Sequence, residues 1–260
     1  MPELYIIKIG GNIIDDEAKL SSFLTDFAAI ESNKILVHGG GKMATAIADK
    51  LNIPQQIIEG RRITDAETLK IITMVYAGYI NKNIVAILQG NNCNAIGLSG
   101  ADANLMQAHK RIHHSINYGF VGDIDSVNGA LLASLLKDNM IPVIAPITND
   151  RKGQLLNTNA DTIARELAKC LSDIFDVTLV YCFEKNGVLK NVEDDTSVIR
   201  AIDHSYYHQL KLNGFIFAGM IPKLTNAFDA ISGGIKKVII GNAAHINQLI
   251  NGNAGTTITN

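Results

Sequence analysis

Short apolar runs alternate with amphipathic stretches along the first part of the chain. Apolar runs at 4–9 and 34–37 predict strands, and residues 15–30 and 42–51 carry apolar side chains at helical spacing. Strands that alternate with helices in this way form a mainly parallel sheet covered by helices. The pattern therefore predicts an α/β fold.

One long helix is predicted in the middle of the chain, over residues 65–89, because its apolar side chains lie along one stripe. The stripe consists of Leu69, Ile72, Val75, Ile80, Ile84 and Ile87. Between 105 and 127 the segments become short and are separated by glycine-containing turns, which predicts hairpins at a sheet edge.

The alternation of helices and strands resumes in the second half. Helices are predicted at 129–139, 161–171, 203–212 and 222–232, and strands at 141–145, 177–182 and 237–240. A boundary near 172–176 divides the chain into an N-terminal lobe, 1–173, and a C-terminal lobe, 174–260.

Charge and cysteine content limit the classes of partner and the cellular compartment that the sequence is compatible with. The chain has 23 basic and 25 acidic side chains, so no electrostatic footprint for nucleic acid or a membrane surface is present. The three cysteines are far apart and form no C-x-x-C pair, which favours a reducing compartment. No leader pattern or run of about 18 apolar residues occurs. We expect a cytoplasmic protein with small partners.

Two glycine-rich turns follow the first two predicted strands. Residues 8–11 are K-I-G-G, and residues 38–41 are H-G-G-G. Glycine lets backbone N–H groups approach an anion, and Lys8 adds a positive charge. The alternative is an ordinary strand-to-helix turn with a solvated lysine. The second turn is not a P-loop, since that motif needs glycine at Leu36 and serine or threonine at Met43.

Two predicted helices also begin with polar clusters. Residues 157–161 are N-T-N-A-D, and residues 219–223 are G-M-I-P-K. Lysine is unfavourable at the positive end of a helix dipole unless an anion is bound there. The alternatives are ordinary helix capping for the first cluster and a solvated lysine for the second.

Jointly these clusters resemble the amino acid kinase family, and within it the N-acetylglutamate branch. The resemblance runs along the chain through G-R-R-I-T at 60–64, N-K at 81–82, G-L-S-G-A-D at 97–102 and G-F-V-G at 119–122, besides the four clusters above. It implies the family fold, a three-layer αβα sandwich with a mainly parallel open sheet and two lobes.

The resemblance also implies a role for each matching residue. Lys8 and Lys223 would neutralise the phosphoryl group in flight, Asp161 would hold both lysines, and the Gly11 amide would bind the phosphoryl group. The implied substrate-binding residues are Gly40, Gly41, Arg62, Asn157 and Asn159, with Arg62 gripping a carboxylate. The implied ATP-binding residues are Gly10, Glu184, Gly187, Leu189, Phe215 and Phe217. Residues 182–187, C-F-E-K-N-G, depart from the family's nucleotide element and leave those contacts open.

The implied activity is ATP-dependent phosphorylation of the side-chain carboxylate of N-acetyl-L-glutamate in arginine biosynthesis, with Mg²⁺ accompanying ATP and no metal held by protein side chains. Alternatives are N-succinylglutamate, another carboxylate acceptor, or a non-catalytic amino-acid sensor; a sensor would have no reason to keep Lys8, Asp161 and Lys223. The resemblance also implies a homodimer, in which the apolar stripe of the long helix 65–89 packs against its own copy. Because only three residues precede the first strand, too few for a helical turn, it further implies an enzyme that is indifferent to arginine.

Two other kinds of site are disfavoured by the sequence. His109 with His113, and His204 with His208, have metal-compatible spacing but lack the H-E-x-x-H arrangement. Ser99 cannot be a nucleophile elbow, because that motif requires glycine where this chain has Ala101.

Overall fold

The structure, a computed structural model, describes residues 1–58, 61–191, 193–214 and 220–260. Its strands are β1 Glu3–Ile9, β2 Asn33–His38, β3 Ile57–Ile58, β4 Arg61–Arg62, β5 Ala95–Leu98, β6 Met106–Lys110, β7 Gly122–Val127, β8 Ile141–Ile144, β9 Ile147–Asn149, β10 Leu155–Asn157, β11 Asp176–Phe183, β12 Val188–Leu189, β13 Val198–Ile199, β14 Ala201–Ile202, β15 Lys237–Asn242 and β16 Thr256–Ile258. Its α-helices are α1 Gly11–Ile14, α2 Glu17–Ala28, α3 Gly41–Lys50, α4 Ala66–Thr73, α5 Asn81–Gly90, α6 Gly129–Lys137, α7 Ala160–Leu171, α8 His204–Leu212, α9 Ile221–Ser232 and α10 Ile246–Ile250. A π-helical turn, Met74–Ile80, joins α4 to α5.

Eight of the described strands form one sheet, in the order β14, β16, β15, β11, β1, β2, β8, β5. The neighbours from β15 to β5 pair in parallel, whereas β15 and β16 are antiparallel. β1 therefore lies between β2 from the first half of the chain and β11 from the second. The carboxyl ends of the parallel strands share one edge, where ligands bind in open α/β sheets.

Helices cover both faces of this sheet. One hydrophobic core joins it to α6, α7, α8 and α9 and contains Leu4 and Ile6 of β1. The other core joins the opposite face to α2, α3, α4, α5 and α10 and contains Ile7 and Ile9. The predicted three-layer αβα sandwich is confirmed.

The alternation of side chains along β1 also orients the first candidate catalytic residue. Leu4 and Ile6 face α7, and Lys8 continues that series because successive side chains of a strand point to opposite faces. The neighbouring strand β11 brings Tyr181 into register with Lys8. Lys8 therefore faces the N-terminus of α7.

The continuous helix Ala66–Gly90 is long and apolar enough to cross a bilayer by length and composition alone, although 44% of its most apolar window is buried inside the protein. We expected its apolar stripe to contact a second copy of the chain, and this was wrong. Leu69, Ile72 and Ile84 of that stripe pack in the chain's own core. Met74 and Tyr79, each 59% exposed, leave a different part of the helix open.

The hairpin region forms a sheet of its own and does not extend the edge of the large one. Strands β10, β9, β6 and β7 form this sheet, and β6 pairs antiparallel with β7 across a bulge. The first helix also differs from the prediction, since α1 begins at Gly11 and Asp16 caps a separate α2 by accepting from the Lys19 amide. The K-I-G-G turn thus leads directly into a helix.

Candidate active site

The candidate residues meet at the carboxyl edge of the large sheet. β1 ends at Ile9 and β2 at His38, and each is followed by glycines and then by a helix. The N-terminus of α7 carries Asp161 and the N-terminus of α9 carries Lys223. Four segments that are distant in the sequence therefore surround one cleft.

Lys8 and Asp161 form the ion pair at the centre of this cleft. The Lys8 ammonium nitrogen lies 2.7 Å from Oδ1 of Asp161. Tyr181 donates its hydroxyl to the backbone carbonyl of Asp161 at 3.2 Å. Burial, and secondarily the charge of Asp161, holds the pKa of the Tyr181 hydroxyl well above its ordinary value. Tyr181 therefore stays neutral and supports the first turn of α7 as a hydrogen-bond donor.

Lys223 approaches the same centre from α9. Burial lowers the pKa of its ammonium group, and the positive charge of Lys8 lowers it further, whereas Asp161 and Glu184 raise it. Its nitrogen lies 4.1 Å from the centroid of the Phe183 ring. Among the described residues, Asp161 forms an ion pair within 4 Å with Lys8 but not with Lys223. Asp161 was expected to hold both lysines. It contacts Lys8 directly and acts on Lys223 only through longer-range electrostatic attraction.

These groups line an open cleft of about 600 Å³. Its lining is Lys8, Gly10, Gly11, Asn12, Ile13, Gly41, Lys42, Asp161, Tyr181, Cys182, Phe183, Glu184, Lys185, Met220, Lys223 and Asn226. Burial raises the pKa of the Cys182 thiol to about 12, so this cysteine stays protonated and is no nucleophile. The cleft is cationic, glycine-lined and large enough for a polyphosphate ligand.

A second cavity of about 210 Å³ adjoins the cleft, and Gly41 lines both. Its lining is Gly39, Gly40, Gly41, Ile57, Arg61, Arg62, Tyr76, Val121, Pro146, Asn157, Thr158, Asn159 and Ala160. All five residues expected to bind the acceptor substrate are in this set. Two arginines and two asparagines in the lining, together with apolar side chains, suit a small organic anion.

Arg62 lines this cavity and donates three hydrogen bonds to neighbouring groups of the protein. Its Nη2 donates to the Gly41 carbonyl and to the Thr45 hydroxyl, both at 2.8 Å, and its Nη1 donates to Gln55 Oε1. The side chain is only 8% exposed. The guanidinium is therefore oriented in advance by the first turn of α3, and part of its hydrogen-bonding capacity is already used by the protein.

The two asparagines of the N-T-N-A-D cluster, Asn157 and Asn159, make different structural contacts. Asn157 donates to the Thr64 hydroxyl at 2.9 Å, which ties β10 to the segment after Arg62. Asn159 caps α7, because its Oδ1 accepts from the backbone amides of Asp161 and Thr162 at 2.8 and 3.2 Å. Asn159 therefore caps α7 and also lines the smaller cavity.

Gly40 is the one position of the H-G-G-G turn where a side chain could not be accommodated. Its φ is +153°, and a Cβ there would lie 2.5 Å from Cδ1 of Ile80 and 2.8 Å from the Tyr76 ring. The long helix therefore packs against the turn itself, and only glycine permits this contact.

The remaining predicted nucleotide residues are less uniformly placed. Gly10 and Glu184 line the large cleft. Gly187 packs against Thr256 and Val198, and Leu189 is buried in β12, so both lie behind the described lining. Phe215 and Phe217 lie outside the described residues, and their contact with ATP stays a prediction.

Several residues of the two cavities were missed by the sequence interpretation. Lys42 and Asn12 line the large cleft and hydrogen-bond to each other through Lys42 Nζ and Asn12 Oδ1. Arg61 and Tyr76 line the smaller cavity. Lys42 had a visible signal, because it follows three glycines directly, whereas Tyr76 looked like one more core residue of a helix.

Cations and glycine amides around a cleft, next to a second cavity with arginines, are what a phosphotransferase with an anionic acceptor requires. The chain belongs to the amino acid kinase family, whose model matches residues 3–242.

Comparison with individual proteins agrees with this assignment. The chain is 58% identical to the acetylglutamate kinase of Cytophaga hutchinsonii, covering 97% of this chain and 96% of that protein. It is 54% identical to the acetylglutamate kinase of Bacteroides fragilis, covering 94% of each. A solved structure from Streptococcus mutans superposes with a TM-score of 0.80 at 25% identity and covers 98% of each chain.

Proposed function

We propose that this chain is an acetylglutamate kinase, which transfers the γ-phosphoryl group of ATP to the side-chain carboxylate of N-acetyl-L-glutamate. The observation that carries the proposal is the junction of the two cavities at Gly41, with Lys8, Asp161 and Lys223 on the larger side. Its relatives in Cytophaga and Bacteroides carry the same name over nearly their full length. Its place would be the phosphorylation step of arginine biosynthesis.

The chemistry needs no general base. A glutamate side chain has a pKa of about 4.3 and is already ionised at neutral pH, so the nucleophile is ready. The obstacle is repulsion between the carboxylate and the triphosphate, and negative charge spreads over the phosphoryl oxygens in the transition state. Lys8 and Lys223 would offset that charge, while Asp161 orients Lys8 and keeps Lys223 protonated beside it.

The smaller cavity would hold the acceptor. Arg62 would bind a carboxylate of the acyl-glutamate with the donors that Gly41, Thr45 and Gln55 leave available. Asn157 and Asn159 would complete the polar side. The apolar side, which includes Val121 and Pro146, would receive the acetyl methyl group.

ATP would occupy the larger cleft, with its γ-phosphate between the two lysines and the amides of Gly11 and Gly41. Mg²⁺ would enter with ATP on the phosphate oxygens and offset part of their charge. Among the described residues no cluster of three or more His, Cys, Asp or Glu side chains provides a separate metal site. Glu184 stands on the cleft wall near Lys223, on the side assigned to the nucleotide.

We further propose a homodimer, the cytoplasm as its compartment, and a division into an acceptor-binding lobe, 1–173, and an ATP-binding lobe, 174–260. Met74 and Tyr79 are exposed apolar side chains on the long helix and are the basis for the dimer. Cys93, Cys170 and Cys182 are free thiols, which fits a reducing compartment.

An ATP-dependent hydroxamate assay, with ADP release as a second readout, tests the activity. Hydroxylamine traps an acyl phosphate, so N-acetyl-L-glutamate should give hydroxamate in proportion to ADP. N-Succinyl-L-glutamate, free glutamate, aspartate and uridylate are the comparison acceptors. Faster turnover with one of these acceptors, or no ATP-dependent product from N-acetyl-L-glutamate, would contradict the proposal.

A further inference from the structure

A buried polar side chain lies directly after the π-helical turn of the long helix. Asn81, which is 1% exposed, donates through Nδ2 to the Val143 carbonyl at 2.9 Å. The same Nδ2 lies 3.2 Å from Nε2 of His38, the last residue of β2. π-helical turns are rare and often occur at functional sites. Asn81 is therefore placed to act on the glycine turn that follows His38.

The orientation of the Asn81 amide is fixed by its other neighbours. Lys82 donates through Nζ to Asn81 Oδ1 at 3.2 Å and to the Gly97 carbonyl at 3.0 Å. The Val143 carbonyl can only accept, so it selects the amide nitrogen. A Cβ at Gly97 would collide with Asn81 Oδ1 and with the Lys82 ammonium nitrogen, so glycine there leaves room for both side chains.

The amide of Asn81 and the carbonyl of Gly39 together fix the tautomer of His38. An amide nitrogen donates and cannot accept, so Nε2 of His38 must be the acceptor and Nδ1 must carry the proton. Nδ1 lies 2.8 Å from the Gly39 carbonyl, to which it then donates. Burial lowers the pKa of His38 to about 4, so the ring stays neutral at physiological pH.

The bond to Gly39 determines the direction of the next amide. The carbonyl of Gly39 and the N–H of Gly40 belong to one planar trans peptide and point to opposite sides of it. Holding the Gly39 oxygen therefore aims the Gly40 N–H. Gly40 lines the acceptor cavity, and Ile80 packs against it from the residue before Asn81.

We propose that Asn81 is a positioning residue for phosphoryl transfer, which acts through His38 to orient the amide of Gly40. The role of Asn81 rests on the proposed function in one respect: the proposed function identifies the ligand that the Gly40 amide would contact. The residue touches neither cavity itself, since it lies beneath the turn.

Asn81→Leu tests the proposal, because leucine keeps the branched four-atom shape of the asparagine side chain and removes both its amide donors and its carbonyl acceptor. We expect kcat to fall about 10- to 100-fold, with KM for ATP and for the acceptor changing less than about threefold, since misplaced groups chiefly affect the transition state. Thr73→Val is the matched control: it removes a hydroxyl from the same helix, and the Thr73 Oγ1 is buried without a hydrogen-bond partner. It should leave kcat unchanged.

Nitrogen-15 NMR of His38 and Gly40 gives a readout beside activity. The wild-type ring should be protonated at Nδ1 across pH 5 to 9, with the Nε2 signal shifted by the hydrogen bond from Asn81. In Asn81→Leu the Gly39 carbonyl still accepts the Nδ1 proton, so the tautomer should stay the same, but the Nε2 signal should move to that of an unbonded acceptor nitrogen and the Gly40 amide signal should shift; Thr73→Val should move neither. An Nε2-protonated ring in the wild type, or a folded Asn81→Leu protein with kcat within about twofold of wild type, would overturn the proposal.

Two further measurements keep the test decisive. If Asn81→Leu does not fold, Asn81→Ser replaces it, since serine is smaller and its hydroxyl ends one bond short of the Asn81 amide nitrogen. The same loss of kcat and the same shifts of the His38 Nε2 and Gly40 amide signals are expected. The NMR result does not depend on which acceptor is phosphorylated. A wild type that is inactive with N-acetyl-L-glutamate but phosphorylates another acceptor would refute the proposed function, and the kcat of the Asn81 variants would then be compared with that acceptor.

Discussion

The Lys8 ammonium nitrogen lies 2.7 Å from Oδ1 of Asp161, and the two side chains are 17% and 23% exposed. This contact joins the central strand β1 to the first turn of α7. It also places one negative charge beside two lysines, since Lys223 responds electrostatically to both partners. Asp161 thereby orients Lys8 and reduces the electrostatic repulsion between Lys8 and Lys223 when no phosphate is bound.

Removing either lysine should affect turnover far more than the fold. We expect Lys8→Met and Lys223→Met to lower kcat about 10²- to 10⁴-fold, equivalent to roughly 3 to 5 kcal/mol of lost transition-state stabilisation. Steady-state kinetics on proteins of unchanged circular dichroism measure this loss. Lys19→Met is the control, because Lys19 is a 65% exposed surface lysine in a surface ion pair, and it should change nothing. Near-wild-type kcat in both site variants would refute the assignment.

Asp161→Asn should make activity more sensitive to alkaline pH. Asp161 raises the pKa of Lys223, whereas burial and Lys8 lower it. Without the carboxylate, the pKa of Lys223 falls further, so its ammonium group loses the proton at a lower pH. The alkaline decline of kcat should then begin at a lower pH than in the wild type, and pH profiles of both proteins measure the shift. A decline at unchanged or higher pH would contradict this account.

Much of the scaffold could be predicted because the local sequence patterns, apolar runs and helical periodicity, agree with the elements of the observed fold. Apolar runs bounded by glycine gave the central strands, and the direction of Lys8 follows from the two-residue period of β1 once the structure shows that Leu4 and Ile6 face α7. The helix start at Gly11 could not be predicted from propensity, because glycine is a poor helix former and Asp16 offered a better cap downstream.

What could not be predicted depends on contacts between distant segments. Thr45 and Gln55 hold the Arg62 guanidinium by hydrogen bonds, but neither residue belongs to a sequence motif. Tyr181 has the pattern of a core strand residue until β11 is placed beside β1. The π-helical turn Met74–Ile80 carries no sequence signal of its own, although Val75, Tyr76 and Ile80 within it are buried.

Arg62→Lys should weaken acceptor binding selectively. Lysine keeps the positive charge but cannot donate to Gly41, Thr45 and a substrate carboxylate from one planar group. We expect KM for N-acetyl-L-glutamate to rise at least tenfold, about 1.4 kcal/mol, with KM for ATP nearly unchanged.

Thr45→Val serves as the graded control for that variant. It removes one acceptor from Arg62 and leaves the guanidinium in place, so its effect on KM for the acceptor should have the same direction and be smaller. If Arg62→Lys raised KM for ATP instead, Arg62 would belong to the nucleotide site.

The last prediction concerns the open side of the long helix. Met74 and Tyr79 are each 59% exposed, and a Cβ at Gly78 between them would meet nothing within 4 Å, so this surface has no cover from the described part of the chain. A two-fold contact would bury both side chains against the same residues of a second copy. Light scattering coupled to gel filtration should therefore give a mass of about twice 28.1 kDa.

The double variant Met74→Glu with Tyr79→Glu should give the monomer mass, because burying unpaired carboxylates at the contact costs several kcal/mol. Leu212→Glu alters another exposed apolar side chain, 79% exposed on α8, and should leave the dimer intact. A monomeric wild type, or a double variant that remains dimeric, would show that this surface is not the interface.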